Sequence, residues 1–569
     1  MHLADINGFT NRVGNAFVSV TKIRERYKMR KILAVFCNRE NFEYDTHALV
    51  QSFYPERHVK VLLPERWKEQ GVSADIVITI ADGQAEMKFA ISEDTQEAAD
   101  DAESAGGESR AEDGTESIHG EYRAESDADS AGIEDRGSDD IESGRIGLTL
   151  KVREYMTPLP ADKGGAKAVW KRFLYETLCA ETGRTLPWGN LTGIRPTKLA
   201  MELLEQGASE EDVLLFLQKE HYVSENKAAL CLDIAQREKA ILAQLDQTDG
   251  YSLYIGIPFC PTTCLYCSFT SYPVSVWEKR MDDYLDCLVK EIDYVKEAFR
   301  GKAPETVYIG GGTPTSLSPE RLERLLSKLE KTFALEDVKE FTVEAGRADS
   351  ITREKLRVIR RHCVTRISVN PQTMKDETLR IIGRRHTAAQ VKDAFHMARE
   401  EGFDNINMDL ILGLPGEDAE DVRRTIGEVK ALLPDSLTVH SLALKRASKL
   451  GNWIEENGID MLSNTDETME IAAAGAAEMG MQPYYLYRQK NMSGNFENTG
   501  YALPGKNGIY NILIMEEKQT IVALGAGSIT KRVYPDGRIE RCENVKDVAL
   551  YMEKIDEMIE RKRRLFGEV

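Results

Sequence analysis

Three of the chain's nine cysteines fall within eight residues, in "CPTTCLYC" from Cys260 to Cys267, spaced C-x3-C-x2-C. A structural zinc site normally closes its shell with four Cys or His ligands, commonly as paired C-x2-C units. Here the nearest histidines in sequence, His221 and His362, are far off, and no second C-x2-C exists. Iron-sulfur clusters are held by thiolates, and a cubane with three protein ligands leaves one iron open to bind something else. The spacing, with the aromatic Tyr266 just before the third cysteine, favours a cluster at Cys260, Cys264 and Cys267 over zinc or incidental grouping.

Other residues of chemical interest follow at intervals. "YIGGGTPTSLSPERL" carries Gly311, Gly312 and Thr313, where side-chain-free backbone lets N–H groups approach a carboxylate closely; a tight turn is the ordinary alternative. Glu344 in "FTVEAG" can meet an ammonium or ribose hydroxyls, or simply be an exposed carboxylate. Gln372 in "RISVNPQTM", Arg384 in "IIGRRH" and Asp409 in "NMDLILGLPGE" occupy corresponding places further on.

These residues need a scaffold, and from Tyr251 the sequence supplies one. Apolar runs "SLYIGIPF", "ETVYIGGG", "EFTVEAG", "TRISVNP", "NINMDLILGLP" and "SLTVHSLAL" alternate with helical patterns such as "SPERLERLLSKLEKTF" and "AEDVRRTIGEVKALL". Repeated βα units imply parallel strands with right-handed crossovers, as an open sheet or a partial barrel. In either, chemistry collects at the strands' C-terminal ends, and the cysteine loop leaves the first strand there.

The combination resembles the radical SAM superfamily, whose signature is C-x3-C-x2-C after the first strand of a partial (βα)6 TIM-like barrel. The resemblance implies a 4Fe-4S cluster on Cys260, Cys264 and Cys267, with the fourth iron chelating the methionyl amine and carboxylate of S-adenosyl-L-methionine (SAM). An electron from the reduced cluster would release a 5'-deoxyadenosyl radical, the protein positioning what the cofactors supply. Order and spacing are similar to the oxygen-independent coproporphyrinogen III oxidase branch, which places Tyr254, Tyr266, Gly311, Gly312, Thr313, Glu344, Gln372, Arg384 and Asp409 around SAM, with Tyr254 and Glu344 as the catalytic candidates. "RISVNPQTM", "GNLTGIRPTK" and the long N-terminal extension look most like the HemZ-type coproporphyrinogen dehydrogenases. The implied reaction is anaerobic conversion of two propionates of coproporphyrinogen III to vinyls in haem biosynthesis, with an electron donor and a one-electron acceptor as partners. A tetracarboxylate calls for cations, and Arg195, Lys198 and Arg488 are candidates. The stretch "YYLYRQKNMSGNFENTGYALPGKNGIYN" reads as a loop-rich lid.

Phe269 stands where the well-studied oxidases have a further cysteine, two residues past the third ligand, and this C-x-F variant is shared with haem chaperones of the same branch. Those chaperones carry a C-terminal His-Asn-x-x-Tyr-Trp motif; here the stretch reads "GKNGIYN", with no histidine after His440. A haem carrier without turnover, and a methyltransferase of anaerobic haem degradation, stand as alternatives.

The remaining chain bounds the setting. At 569 residues more than one folded unit is expected. The expected fold class is α/β, a radical SAM partial barrel with an N-terminal α+β module and a C-terminal extension. The expected divisions are a β-rich module over 1–92, an acidic disordered insertion over 93–145, a helical bridge completing the module over 146–249, the core over 250–448 and a C-terminal domain or lid over 449–569. Of the net charge of -20, the 19 acidic and 3 basic residues of 93–144 account for -16. Such a stretch lacks the apolar surface to offset its ordering entropy. No large basic face is left to neutralise phosphates, which speaks against nucleic acid. An odd number of mostly scattered cysteines argues for a reducing compartment, read as cytoplasmic. Neither a leader's apolar segment nor a run of about 18 apolar residues is found, so no membrane insertion is expected.

Overall fold

The computed structural model describes residues 32–55, 57–65, 75–81, 83–92, 134–135, 139–142, 149–193, 195–269, 271–445, 447–458, 461–489 and 496–567. The chain divides into two units at Thr192 and Gly193.

In the first unit the strands are β1 (Ile32–Cys37), β2 (His58–Leu62), β3 (Ile76–Ala81), β4 (Gln84–Ser92), β5 (Glu134–Asp135), β6 (Asp139–Glu142) and β7 (Thr149–Pro158). They form one sheet in the order β2-β1-β3-β4-β7-β5, with β6 also on β7. The strands read from "KILAVFCN", "ADIVITIADGQAEMKFAI" and "RIGLTLKVREY" are present. The helix Glu40–Phe53 was not part of that reading, yet β1 and β2 run parallel and a parallel pair requires a crossover. It buries Phe42, Leu49, Val50 and Phe53. The helix Lys163–Thr182 adds Trp170, whose ring meets Phe42 edge-on at 5.7 Å. Within the acidic stretch, β5 and β6 pair with β7; the other residues of 93–145, and the disorder expected of them, lie outside the described residues.

The second unit begins with helices Thr197–Glu205, Glu210–His221 and Glu225–Leu242, which group with the sheet that follows rather than with the N-terminal module. Then come β8 (Tyr251–Ile257), the short pair β9 (Phe259–Cys260) and β10 (Tyr272–Pro273), β11 (Thr306–Gly311), β12 (Glu340–Gly346), β13 (Arg366–Val369), β14 (Ile406–Leu412) and β15 (Ser436–Ser441). All six anticipated strands are there. Each pairs parallel with the next, β8-β11-β12-β13-β14-β15, which is the partial (βα)6 barrel order. Their helices follow from local chemistry. Pro319–Thr332, for example, starts on a Ser318 cap with Pro at its first position, and turns Leu322, Leu325, Leu326 and Leu329 inward.

The C-terminal extension is not a separate body. It contributes β16 (Gln482–Tyr487), β17 (Asn498–Ala502), β18 (Thr520–Leu524), β19 (Ile529–Val533) and β20 (Ile539–Glu543). β17 pairs antiparallel with β15 at one edge, and β18 parallel with β8 at the other, giving an 11-stranded sheet. The stretch read as a loop-rich lid is thus mostly β16, β17 and the helix Ile509–Glu516, because β15 offers an unpaired edge that extended, tyrosine-rich backbone can satisfy. The last helix, Ile555–Phe566, is tied in through a buried Lys562–Glu291 pair at 2.7 Å, with Asn544 and Tyr551 also bonded to Glu291. No described helix is long and apolar enough to cross a membrane.

Candidate active site at the strand ends

A cavity of about 400 Å³ lies in the second unit and is lined by Cys260, Cys264, Cys267, Tyr266, Gly311, Gly312, Thr313, Glu344, Gln372, Arg384 and Asp409. Residues spread over 150 positions of sequence thus meet because most sit near the C-terminal end of a parallel strand or on the loop leaving it, with Asp409 in the middle of β14 and Arg384 past the short helix Asp376–Ile381. Tyr254 is the exception among the sequence candidates. Its ring stacks on Tyr308 and Tyr510, and its hydroxyl lies 3.1 Å from where a side chain on Gly311 would begin.

The glycine loop sets the geometry of the cysteine loop. Gly311 has φ +106°, and a Cβ on Gly312 would lie 2.7 Å from Phe259 O and 2.9 Å from Ile257 O. Only bare backbone can come this close. The approach lets Gly312 N–H donate to Ile257 O and Thr313 N–H to Phe259 O, both at 2.8 Å, which brings the Thr313 hydroxyl to 3.4 Å from Cys260 Sγ. The far side of the loop is clamped too. Leu265 N–H donates to Ile382 O at 3.0 Å, the Thr262 hydroxyl to Gly383 O at 2.8 Å, and Arg347 Nη1 reaches both Thr262 O at 3.0 Å and Cys264 Sγ at 3.7 Å. Arg347 is itself held by Asp349 at 2.7 Å.

Burial pushes the Cys260 thiol up to about 11, with Thr313 opposing, and pushes Cys267 up as well. Thiols held neutral when empty need a metal to become thiolates. Among the described residues no three Cys, His, Asp or Glu converge as a lone ion would require; three sulfurs around one cavity wall, with donors at Thr313 and Arg347, fit the corners of a cluster that brings its own iron and sulfide.

The rest of the wall fits a polar organic ligand. Glu344 accepts from the Tyr308 hydroxyl, and burial pushes its carboxyl up to about 7, with nearby Asp409 adding to the rise and Tyr308 opposing it. Arg384 donates to Asn370 O at 2.6 Å and to the Tyr266 hydroxyl at 3.2 Å. Burial works against its charge, but Tyr266 and Cys264 hold the guanidinium pKa above its ordinary value. Gln372 is a buried non-glycine residue at φ +70°, held by Gln372 N–H to Asp409 O and Ile411 N–H to Gln372 O, both 2.9 Å. Four buried polar atoms at this wall, Arg366 Nε, Ser368 Oγ, Asn370 Oδ1 and Arg384 Nε, have no protein partner. Orphaned buried groups of this kind are met by a ligand or water.

Several lining residues were not read from sequence: Tyr308, Arg347, Arg366, His440, Lys445, Tyr485 and Tyr487. Only the alternation in "YIGGG" and "RISV" could have pointed inward for Tyr308 and Arg366; the others depend on which strands become neighbours. The cations that were proposed do not line the cavity. Arg195 donates to Met515 O and pairs with Glu517 at 3.0 Å, Lys198 pairs with Glu202 at 3.4 Å, and Arg488 is buried with its Nε donating to Phe496 O at 3.4 Å.

Against known proteins, residues 254–429 match the model of the radical SAM superfamily. The chain is 40% identical over 431 residues to the oxygen-independent coproporphyrinogen-III oxidase-like protein HemZ of Bacillus subtilis, covering 74% of this chain and 86% of that protein. It is 32% identical over 278 residues to the heme chaperone HemW of Lactococcus lactis, covering 49% and 68%. Among solved structures, the coproporphyrinogen III oxidase HemN of Escherichia coli aligns with TM-score 0.45 and 22% identity, over 57% of this chain and 72% of that one.

Proposed function

Because this chain belongs to the radical SAM superfamily and, within it, to the HemZ-like family of oxygen-independent coproporphyrinogen oxidases and their relatives, we propose that it decarboxylates two propionates of coproporphyrinogen III to vinyls without oxygen, forming protoporphyrinogen IX. The observation that carries this reading is the single cavity where three thiols, the glycine loop and the polar strand ends converge.

When bound, the cluster and SAM supply a carbon-centred radical able to take a hydrogen atom from an unactivated C–H bond. The chain's own residues do the rest. Cys260, Cys264 and Cys267 hold the cluster, with Thr313 and Arg347 donating toward the sulfurs. Gly311, Gly312 and Thr313, whose Gly312 and Thr313 N–H groups are used on Ile257 O and Phe259 O, shape the wall against which SAM would lie, and Tyr266, Glu344, Gln372, Arg384 and Asp409 would hold it. Tyr254 acts from behind, its ring stacked on Tyr308 and Tyr510 and its hydroxyl backing Gly311. Each propionate loses a hydrogen atom from its β-carbon, its carboxylate leaves as carbon dioxide, and one electron passes to an acceptor, which balances the new vinyl group. Tyr485 and Tyr487 on β16 wall the cavity and limit water at the reacting carbon. The reducing compartment this chemistry needs is the cytoplasm.

One observation favours a second reading. Phe269, two residues past the third cysteine, lines the cavity and is largely exposed, and HemW, a relative, is named a heme chaperone; a tetrapyrrole carrier without turnover would keep the same architecture. An anaerobic assay of the reconstituted protein with coproporphyrinogen III, SAM and reductant, read by mass spectrometry, separates the two. Loss of two carbon dioxide units with 5'-deoxyadenosine establishes the oxidase. Tight haem binding with neither product overturns it in favour of the carrier, and a methylated tetrapyrrole overturns it in favour of methyl transfer.

A further inference from the structure

Of the four Lys and Arg side chains that line the cavity, three have a polar protein partner for at least one guanidinium nitrogen. Arg347 is paired with Asp349 at 2.7 Å, Arg384 bonds Asn370 O and the Tyr266 hydroxyl, and Arg366, fully buried, donates to Ser436 at 3.1 Å. Lys445, just past the end of β15, has no carboxylate or hydrogen-bond partner for its ammonium among the described residues, although it is half-buried. A half-buried ammonium without a polar partner is poorly hydrated. What it does meet is the ring of Phe269, 5.5 Å away.

Phe269 is 69% exposed and lines the same cavity. Single exposed apolar side chains are ordinary. An exposed phenyl at a cavity mouth, beside an unpaired ammonium, presents two complementary surfaces to one ligand: an aromatic face and a positive charge.

We propose that Lys445 and Phe269 form a subsite for one propionate-bearing pyrrole ring of a tetrapyrrole, the ammonium pairing with the carboxylate and the phenyl face packing on the ring. The inference rests on the reading above that the ligand is a tetrapyrrole. It makes Phe269 a substrate contact rather than a merely missing cysteine. It also supplies the carboxylate anchor for which Arg195, Lys198 and Arg488 are misplaced.

The test uses the full chain with its cluster reconstituted anaerobically, and fluorescence or absorbance titration with coproporphyrin III, its tetramethyl ester and protohaem IX. Loss of a charge-assisted pairing in a partly buried site costs about tenfold in affinity. Lys445→Met should weaken coproporphyrin III by that factor and leave the ester within about twofold, since the ester has no charge to lose. Lys445→Arg should restore the acid's binding, and Phe269→Ala should weaken acid and ester together. Loss confined to coproporphyrin III, or confined to protohaem, assigns the subsite to a decarboxylated substrate or to a carried haem, and either supports it. Wild-type affinity for both propionate ligands in Lys445→Met, or equal loss of acid and ester, overturns the subsite alone. Failure of the wild-type protein to bind coproporphyrin III and protohaem overturns the tetrapyrrole reading itself.

Discussion

Replacing Glu344 by Gln should make the empty protein more stable and its SAM binding weaker. The carboxyl is fully buried, and burial, opposed by Tyr308 and reinforced by Asp409, moves its pKa from the ordinary 4.5 to about 7. The fold therefore holds this proton more tightly than the unfolded chain. Stability from the group is complete below about pH 4.5 and is lost as pH rises through about 7. Integrating between those values, ionisation costs the fold about 3 kcal/mol in full, of which about 2.5 kcal/mol falls between pH 5 and pH 8. Glutamine keeps the shape and the acceptor for Tyr308 but has no charge to expel. For a unit of roughly 380 residues at about 2 cal/mol/K per residue, the melting temperature of Glu344→Gln relative to wild type should rise by about 3 °C from pH 5 to pH 8. Scanning fluorimetry on the ligand-free protein across that range reads the difference directly, other titrations cancelling between the two proteins. A difference that is flat with pH, or that shrinks toward pH 8, would refute the burial argument. The same variant should bind SAM at least about tenfold more weakly at pH 8, because a desolvated carboxylate is what a cationic ligand has to relieve.

Three further outcomes follow from named contacts. Cys264→Ala should lose the iron and the visible absorbance of the reconstituted cluster, whereas Cys287→Ala, whose thiol packs in the core on the helix Met281–Ala298, should keep both; normal iron content in the first would remove Cys264 from the ligand set. Gly312→Ala would place a methyl 2.7 Å from Phe259 O, displacing the loop at a cost of about 2 kcal/mol, seen as a lower melting temperature and weaker SAM binding. Arg347→Met removes a cation 3.7 Å from Cys264 Sγ and should lower the cluster's reduction potential in an EPR-monitored titration, with Arg347→Lys between it and wild type.

The parallel core was legible because both of its signals are local. Strands such as "SLYIGIPF" and "NINMDLILGLP" are short apolar runs bounded by turns, and helices such as Pro319–Thr332 carry their caps and apolar stripe within their own span. The three cysteines and the glycine loop were legible because their spacing is itself the requirement. Lys445, His440, Tyr485 and Tyr487 were not, since they become cavity residues only through the pairing of β15, β17 and β16, and nothing near them in sequence encodes that pairing. The crossover helix Glu40–Phe53 was missed for a related reason: β1 and β2 do not say from sequence that they run parallel. Arg195 illustrates the converse, a conspicuous cation in a turn-rich loop whose partner, Glu517, lies more than 300 residues away.

The shortest of the six parallel strands has a consequence for motion. β13 spans four residues, matches β14 at only Ile367 and Ser368, and slips register against β12 between Val343 and Gly346. Beyond it the backbone is tied only by Asn370 N–H to Gly346 O and by an isolated bridge from Gln372 to β14, while Ser368 Oγ and Asn370 Oδ1 have no protein partner. A ligand in the cavity would meet those two side chains and steady this sparsely tied segment, so amide hydrogen exchange around 368–372 should slow on SAM addition more than along β11, which pairs with β8 over its whole length.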